Sequence, residues 1–192
     1  MRICVYGAAS FSIDEEYIKR VEELGEKMSS RGHSLVFGGG ANGLMGAAAR
    51  GVKKGDGHIL GVIPSFFDDE KIEGVFEECN ELIETKTMRE RKQIMEDNAD
   101  AFIVAPGGVG TFEEFFEILT SKQLCRHNKP IVLFNVNNYY SELSVMMEVA
   151  VEKKFIRKSC LSLYKVTDNL DELFAYLEGP QKVRTVKDLK EG

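Results

Sequence analysis

Ala101-Phe102-Ile103-Val104-Ala105-Pro106-Gly107-Gly108-Val109-Gly110-Thr111-Phe112-Glu113-Glu114 joins an apolar, strand-like run to a helix start through three glycines. Glycines let the backbone bend so that successive N–H groups point into one concavity, and the helix that follows adds unpaired N–H groups and its positive dipole end. The occupant such a turn predicts is a phosphate. A pure phosphate cradle gains nothing from neighbouring carboxylates, yet Glu113, Glu114 and Glu117 fall in the first two turns. One reading gives one of them chemistry beside the bound phosphate. The other takes Thr111-Phe112-Glu113-Glu114 as a capping box, in which Glu114 only satisfies a backbone N–H.

On both sides of this segment strand-like runs alternate with helical ones. Arg2 to Tyr6 reads as a strand, followed by a helix from about Ile13 to Ser30. Tyr17, Val21, Leu24 and Met28 recur there at helical spacing, with Ser12-x-x-Glu15 as a capping box. Leu35 to Phe37 leads through Gly38-Gly39-Gly40 into a helix over Gly43 to Lys53, and Ile59 to Ile63 is a third strand ending at Pro64. Ser65 to Gly74, acidic and aromatic, reads as a loop or mobile flap. Leu82 to Glu84 reads as a short strand and Thr87 to Asn98 as a helix. The helix after the glycine turn runs to about Cys125, and Ile131 to Phe134 is the next strand. A helix over Tyr139 to Lys153, a strand over Leu163 to Val166 and a helix over Leu170 to Leu177 complete the pattern.

This spacing means βαβ units. The expected fold is a single α/β domain over 1–179, a Rossmann-like doubly wound parallel sheet with helices on both faces, with a charged tail over 180–192. Ligands of such sheets bind beyond the carboxyl ends of the strands. That rule places three loops at one rim: Gly7 to Ser10, Gly38 to Asn42 and Pro106 to Thr111.

A chain of 192 residues suits one well-buried core. Its 31 acids against 25 bases give a net charge of −6, which argues against a duplex nucleic acid partner but leaves room for a small phosphorylated ligand. Cys4, Cys79, Cys125 and Cys160 are far apart and form no Cys-x-x-Cys pair, so reduced thiols are expected rather than a zinc or redox site. No segment approaches the roughly 20 apolar residues of a membrane span, and the chain reads as cytoplasmic. His33, His58 and His127 lie apart from one another and from acid pairs, which predicts neither a metal site nor a Ser/His/Asp arrangement.

Two further motifs compete for function. Gly38-x-Gly40-x-x-Gly43 matches the dinucleotide fingerprint, but it follows the second strand and has no strand-end acid about 20 residues on. Close backbone packing or ligand approach explains it better than nicotinamide does. Met88-Arg89-Glu90-Arg91-Lys92 opens a helix with three bases, where the dipole disfavours them, and so suggests an outside anion. A pyridoxal Schiff base on Lys92 has no supporting architecture. Asp68-Asp69-Glu70 reads as a solvated loop rather than a cation site.

Taken together, Arg91-Lys92 and Pro106-Gly107-Gly108-Val109-Gly110-Thr111-Phe112-Glu113-Glu114 resemble the paired signature of the Lonely Guy family, the cytokinin riboside 5′-monophosphate phosphoribohydrolases. The likeness extends to Arg2-Ile3-Cys4-Val5, Gly38-Gly39-Gly40, Gly43-Leu44-Met45-Gly46, Gln123-Leu124, His127, Lys129-Pro130, Tyr139-Tyr140 and Phe155-Ile156. The resemblance implies hydrolysis of the N-glycosidic bond of a purine nucleoside 5′-monophosphate, without metal or organic cofactor, by a homodimer. It implies Arg91 and Glu114 as the catalytic pair. The implied substrate contacts are Met88, Lys92, Gly107, Gly108, Gly110, Thr111 and Thr120, with Gly39 and Gly40. Where family members commonly read Cys-Gly-Ser-Ser after the first strand, this chain reads Gly7-Ala8-Ala9-Ser10. Arg89 and Ser121 stand where a histidine and, in plant members, a tryptophan are common.

Chemistry constrains the implied roles. Breaking a ribosyl bond passes through an oxocarbenium-like state, which a carboxylate at Glu114 can stabilise while it activates water. Arginine stays protonated, so Arg91 suits positioning and charge stabilisation better than proton donation. Phe112, Phe115, Phe116, Ile118 and Leu119 wrap around their helix more widely than one core stripe requires, which also predicts a partner copy. The rival readings are a noncatalytic nucleotide or cofactor-carrier protein and, more remotely, a nicotinamide-dependent reductase.

Overall fold

The structure is a computed structural model that describes residues 1–69 and 74–182. Seven parallel strands form one sheet: β1 (Arg2–Tyr6), β2 (Ser34–Phe37), β3 (Ile59–Pro64), β4 (Glu81–Thr85), β5 (Ala101–Val104), β6 (Ile131–Phe134) and β7 (Lys165–Thr167). Their order across the sheet is β4-β3-β2-β1-β5-β6-β7. The helices are α1 (Glu15–Ser30), α2 (Gly43–Lys54), α3 (Ser65–Asp69), α4 (Met88–Asn98), α5 (Val109–Gln123), α6 (Ser141–Glu152) and α7 (Leu170–Glu178). Short 3-10 turns at Val136–Asn138 and Lys158–Ser162 were not foreseen.

The alternation of the strands shows why both faces are covered. Along β1, Ile3 and Val5 pack with Val21 and Met28 of α1, Ala48 of α2 and Phe174 of α7. Cys4 and Tyr6 point the other way, onto Met95 of α4, Phe115 of α5 and Met147 of α6. A strand buried on both sides must be apolar along its buried length, as the inner strands here are beyond the opening Arg2 of β1 and Ser34 of β2. The sheet is the doubly wound one expected.

Strand order reverses between β1 and β5, and at such a switch point the two following loops splay apart to leave a crevice. Backbone bonds tie the three expected rim loops together. The Ala8 N–H donates to the Pro106 carbonyl at 3.0 Å, and the Leu44 N–H donates to the Ala8 carbonyl at 2.7 Å. Gly43 makes that second approach possible: its φ is +56°, and a Cβ there would lie 2.3 Å from the Ala8 oxygen.

Several local expectations are corrected. Ser65–Asp69 is helical rather than loop, and positions 70–73 of the expected flap, with Glu70 of the acidic run, lie outside the described residues, as does the tail from 183 to 192. The N-cap of α1 is Asp14 without a side-chain cap bond, while Ser12 bonds Ser10 instead. The strand expected at Leu163 starts at Lys165, because Leu163 and Tyr164 are spent filling the core under α5 and α6. His33 and His58 do meet acids, Glu178 at 2.9 Å and Glu81 at 3.2 Å, since the fold brings the distant helix and strand beside them. None of the four cysteines is in a disulfide; Cys4 and Cys160 are buried and the other two half-buried.

Candidate active site

The helix after the glycine turn begins three residues earlier than a capping box at Thr111 would place it. Gly108 is the N-cap of α5 and Val109 its first residue, and the Phe112 N–H makes a helical bond to the Gly108 carbonyl at 3.0 Å. The N–H groups of Val109, Gly110 and Thr111 therefore form the open end of the helix, beside its positive dipole. Thr111 is inside the first turn and makes no cap bond, so the capping-box reading of Thr111 and Glu114 fails. Glu114 sits on the second turn, where no backbone N–H needs it.

Two tyrosines brace the turn from behind. The Tyr139 hydroxyl donates to the Gly107 carbonyl at 2.6 Å, and the buried Tyr140 hydroxyl donates to the Ala105 carbonyl at 2.7 Å. With their carbonyls held back, the N–H groups of the turn face the rim.

A cavity of about 360 Å³ opens there. Gly7, Ala8, Ala9 and Ser10 form one wall, Met45 of α2 and Phe67 of α3 a second, and Met88 and Arg91 of α4 a third. The start of α5 closes it with Gly108, Gly110, Thr111, Glu113 and Glu114. Arg91 is 5% exposed. Its Nε donates to the Val62 carbonyl at 3.1 Å and its Nη2 to the Gly38 carbonyl at 3.2 Å, at the carboxyl ends of β3 and β2. Its Cζ lies 5.7 Å from the Phe67 ring centroid, within cation–π range.

Glu114 is half-buried, and burial pushes its pKa up to about 7, against the opposing pull of Arg91 and with help from Glu113. Its neighbour Glu113, at the cavity's edge, pairs with Lys92, which also holds Glu117 at 2.5 Å. Glu96, one turn along α4 from Lys92, is likewise pushed up to about 7, by burial and then by Glu117. A carboxylate with a pKa near neutrality, facing a fixed guanidinium across a cavity, can exchange a proton with a water while the arginine holds negative charge.

Of the residues expected at the site, the fold gathers Met88, Arg91, Gly108, Gly110, Thr111 and Glu114. Gly107 lines an adjoining cavity of about 330 Å³ with Tyr17, Leu44 and Tyr139. Lys92 is turned away to its two glutamates. Thr120 is exposed on α5, six residues past Glu114 and so about 9 Å further along the axis. Gly39 and Gly40 pair instead with the segment after the rim: the Phe76 N–H donates to the Gly39 carbonyl at 2.8 Å, and Gly40 bridges Val75. Of the bases expected to need an outside anion, Lys92 finds its anions within the chain, at Glu113 and Glu117, whereas Arg91 meets only neutral carbonyls. Sequence reasoning missed Met45, Phe67 and the arginine's carbonyl partner at Val62, which lie in the first turn of α2, in α3 and inside β3 and carry no local signal of a site. Among the described residues no group of three or more His, Cys, Asp or Glu is placed to hold a metal.

A family model described as "Possible lysine decarboxylase" matches residues 45–177. The cytokinin riboside 5′-monophosphate phosphoribohydrolase LOG5 of Arabidopsis thaliana is 37% identical over 182 residues, spanning 95% of this chain and 79% of the relative. LOG7 of the same plant, named for the same activity, is 38% identical over 177 residues, 92% of this chain and 81% of the relative. Among solved structures, a molybdenum cofactor carrier protein from Chlamydomonas reinhardtii superposes with a TM-score of 0.69 at 21% identity, over 92% of this chain and 95% of that one. A molybdenum cofactor binding protein from Rippkaea orientalis gives 0.68 at 19%, over 92% and 94%. At those identities the two share the fold with this chain and carry no inference about ligand. The family match spans the site from Met45 to the end of the last helix but one residue, the relatives span nearly the whole chain, and the chain belongs to the Lonely Guy family.

Proposed function

We propose that this protein hydrolyses the N-glycosidic bond of purine nucleoside 5′-monophosphates, AMP or a cytokinin riboside monophosphate, to the free base and ribose 5-phosphate, without metal or organic cofactor. One observation carries the reading: Arg91 and Glu114 line a single cavity whose edge is the open N-terminus of α5. The 5′-phosphate takes the N–H groups of the glycine turn through Thr111, and the grip orients the sugar. Glu114 faces the anomeric carbon. As the bond from C1′ to the base nitrogen breaks, its electron pair leaves with the base, and the carboxylate steadies the oxocarbenium charge on the sugar. Glu114 takes a proton from water, the water oxygen bonds C1′, and the departing base nitrogen takes a proton from solvent, to which Glu114 afterwards releases its own. Arg91, always charged, holds substrate and stabilises negative charge rather than donating that proton.

The reading includes a homodimer acting in the cytoplasm. The apolar residues of α5 do not call for a partner, since Phe115, Ile118 and Leu119 are buried and Phe112 and Phe116 pack on the same core cluster. Support comes from α6, where Val145, Met146 and Val149 are 57%, 52% and 37% exposed, with Phe155 just beyond. Apolar side chains grouped on one exposed face are a common mark of a subunit contact. No helix among the described residues is long and apolar enough to cross a membrane.

Incubating the purified protein with AMP and with isopentenyladenosine monophosphate, and assaying base and ribose 5-phosphate, tests the proposal. Stoichiometric release of both products is expected. Tight nucleotide binding with no release would instead favour a carrier.

A further inference from the structure

We propose that Gly38 is a positioning residue for Arg91, the space left by its missing side chain being where the guanidinium lies. The Gly38-x-Gly40-x-x-Gly43 run looks like a dinucleotide fingerprint, but its first glycine serves an arginine. A Cβ built on Gly38 would fall 1.8 Å from Arg91 Nη2 and 2.9 Å from Cζ, far inside any tolerated contact. Met45 Sδ, at 3.1 Å, closes the other side. The Gly38 carbonyl itself accepts from Nη2 at 3.2 Å, so Gly38 both admits the guanidinium and holds it.

The need is for room, not for an unusual backbone. Gly39 and Gly43 have φ of +78° and +56°, whereas Gly38 lies outside the left-handed region. Alanine can adopt its conformation without strain, so Gly38→Ala changes only volume at that point. Arg91 is buried and its neighbours are backbone on two sides, Val62 and Gly38, which cannot yield as a flexible side chain would. The guanidinium must therefore leave its two carbonyls, and its aim at the cavity goes with it.

That Arg91 meets substrate rests on the hydrolase reading above; its anchorage by Gly38 does not. The first test is made on ligand-free protein: an NMR spectrum of arginine Nε–H groups, assigned through Arg91→Lys. The wild type should show an Arg91 Nε–H shielded from exchange, since it donates to a buried carbonyl. Gly38→Ala should lose that shielding. Gly61→Ala, an equally buried glycine whose added Cβ would meet Cys79 and Leu82 but not Arg91, should keep it. Gly38→Ala with a shielded Arg91 overturns the proposal.

The second test covers the case in which Gly38→Ala is poorly folded. Adding Arg91→Ala removes the clash, so the double variant should melt higher than Gly38→Ala alone; no recovery overturns the proposal. If the wild type hydrolyses AMP, Gly38→Ala should lower kcat by roughly 10-fold or more, yet change it by less than about 2-fold on an Arg91→Ala background. If the wild type hydrolyses nothing, the functional reading fails while the spectrum and melting data still decide the role of Gly38.

Discussion

The Tyr139 hydroxyl lies 2.6 Å from the Gly107 carbonyl and donates to it, so the back of the glycine turn is pinned from α6's side of the sheet. Tyr17 meets the same ring edge-on with centroids 6.4 Å apart, which holds it in place. An anion cradle works only if its N–H groups all face one way, and turning the carbonyl backward turns the next N–H forward.

Tyr139→Phe should therefore raise KM for the nucleotide more than it lowers kcat, because it loosens phosphate binding and leaves Glu114 and Arg91 untouched. Tyr140→Phe is the sterner change. It strips a buried carbonyl at Ala105 of its partner and should cost about 1–3 kcal/mol in chemical denaturation. A fall in kcat without change in KM for Tyr139→Phe would contradict the bracing role.

Glu114→Gln separates scaffold from chemistry. Glu114 caps nothing, so the variant should fold, while losing the charge and basicity that an oxocarbenium ion and a water need. Turnover should fall by roughly 10² or more. Glu113→Gln, about 100° around the helix and already paired with Lys92, should be milder. Near wild-type release of adenine by folded Glu114→Gln would remove this residue from the mechanism.

The pH dependence follows from the same carboxylate, with opposite signs for rate and stability. Glu114 must be ionised to act as base, so kcat/KM should rise with pH through about 7. In the same window the folded state holds a proton that the unfolded chain, with a pKa of 4.5, has lost. Stability from Glu114 is thus full below about 4.5 and lost as pH rises to about 7, and Glu96 adds the same trend. Paired thermal melts should show Glu114→Gln gaining on the wild type as pH is raised across that range. A constant gap would mean that burial does not oppose the charge.

Phosphate recognition at the start of α5 predicts that adenosine is a far poorer substrate than AMP. Remote binding energy is what orients the sugar, so its loss should appear in kcat as well as KM. Equal turnover of the two would place the phosphate elsewhere.

The α6 face predicts self-association. Met146→Glu, which puts a charge on an exposed apolar surface, should convert a dimer to a monomer in light scattering at micromolar concentration while leaving the helix intact. A wild type that is monomeric under the same conditions would end this reading.

How much of this was legible in the chain depends on the range of the physics. The fold class was readable because it rests on local rules: apolar runs alternating with helical periodicity can bury themselves only as a covered parallel sheet, and β6 and the ends of α1 and α7 fell nearly where the pattern placed them. The glycine turn was readable for the same reason. The first turn of α5 was misjudged because Val109-Gly110 is a poor helix start by propensity and is set by the tertiary frame.

Sequence alone determined that a glycine turn would stand next to acids at a sheet rim, and the family resemblance it carries pointed to Arg91 and Glu114. Only the tertiary structure decided where each stands. It carried Arg91 across two strand ends to the carbonyls of Val62 and Gly38, turned Lys92 away to Glu113 and Glu117, and left Glu114 without a capping duty. The reason is that hydrogen-bond partners 29 and 53 residues away leave no trace in local periodicity. They exist only once β2, β3 and α4 are laid side by side.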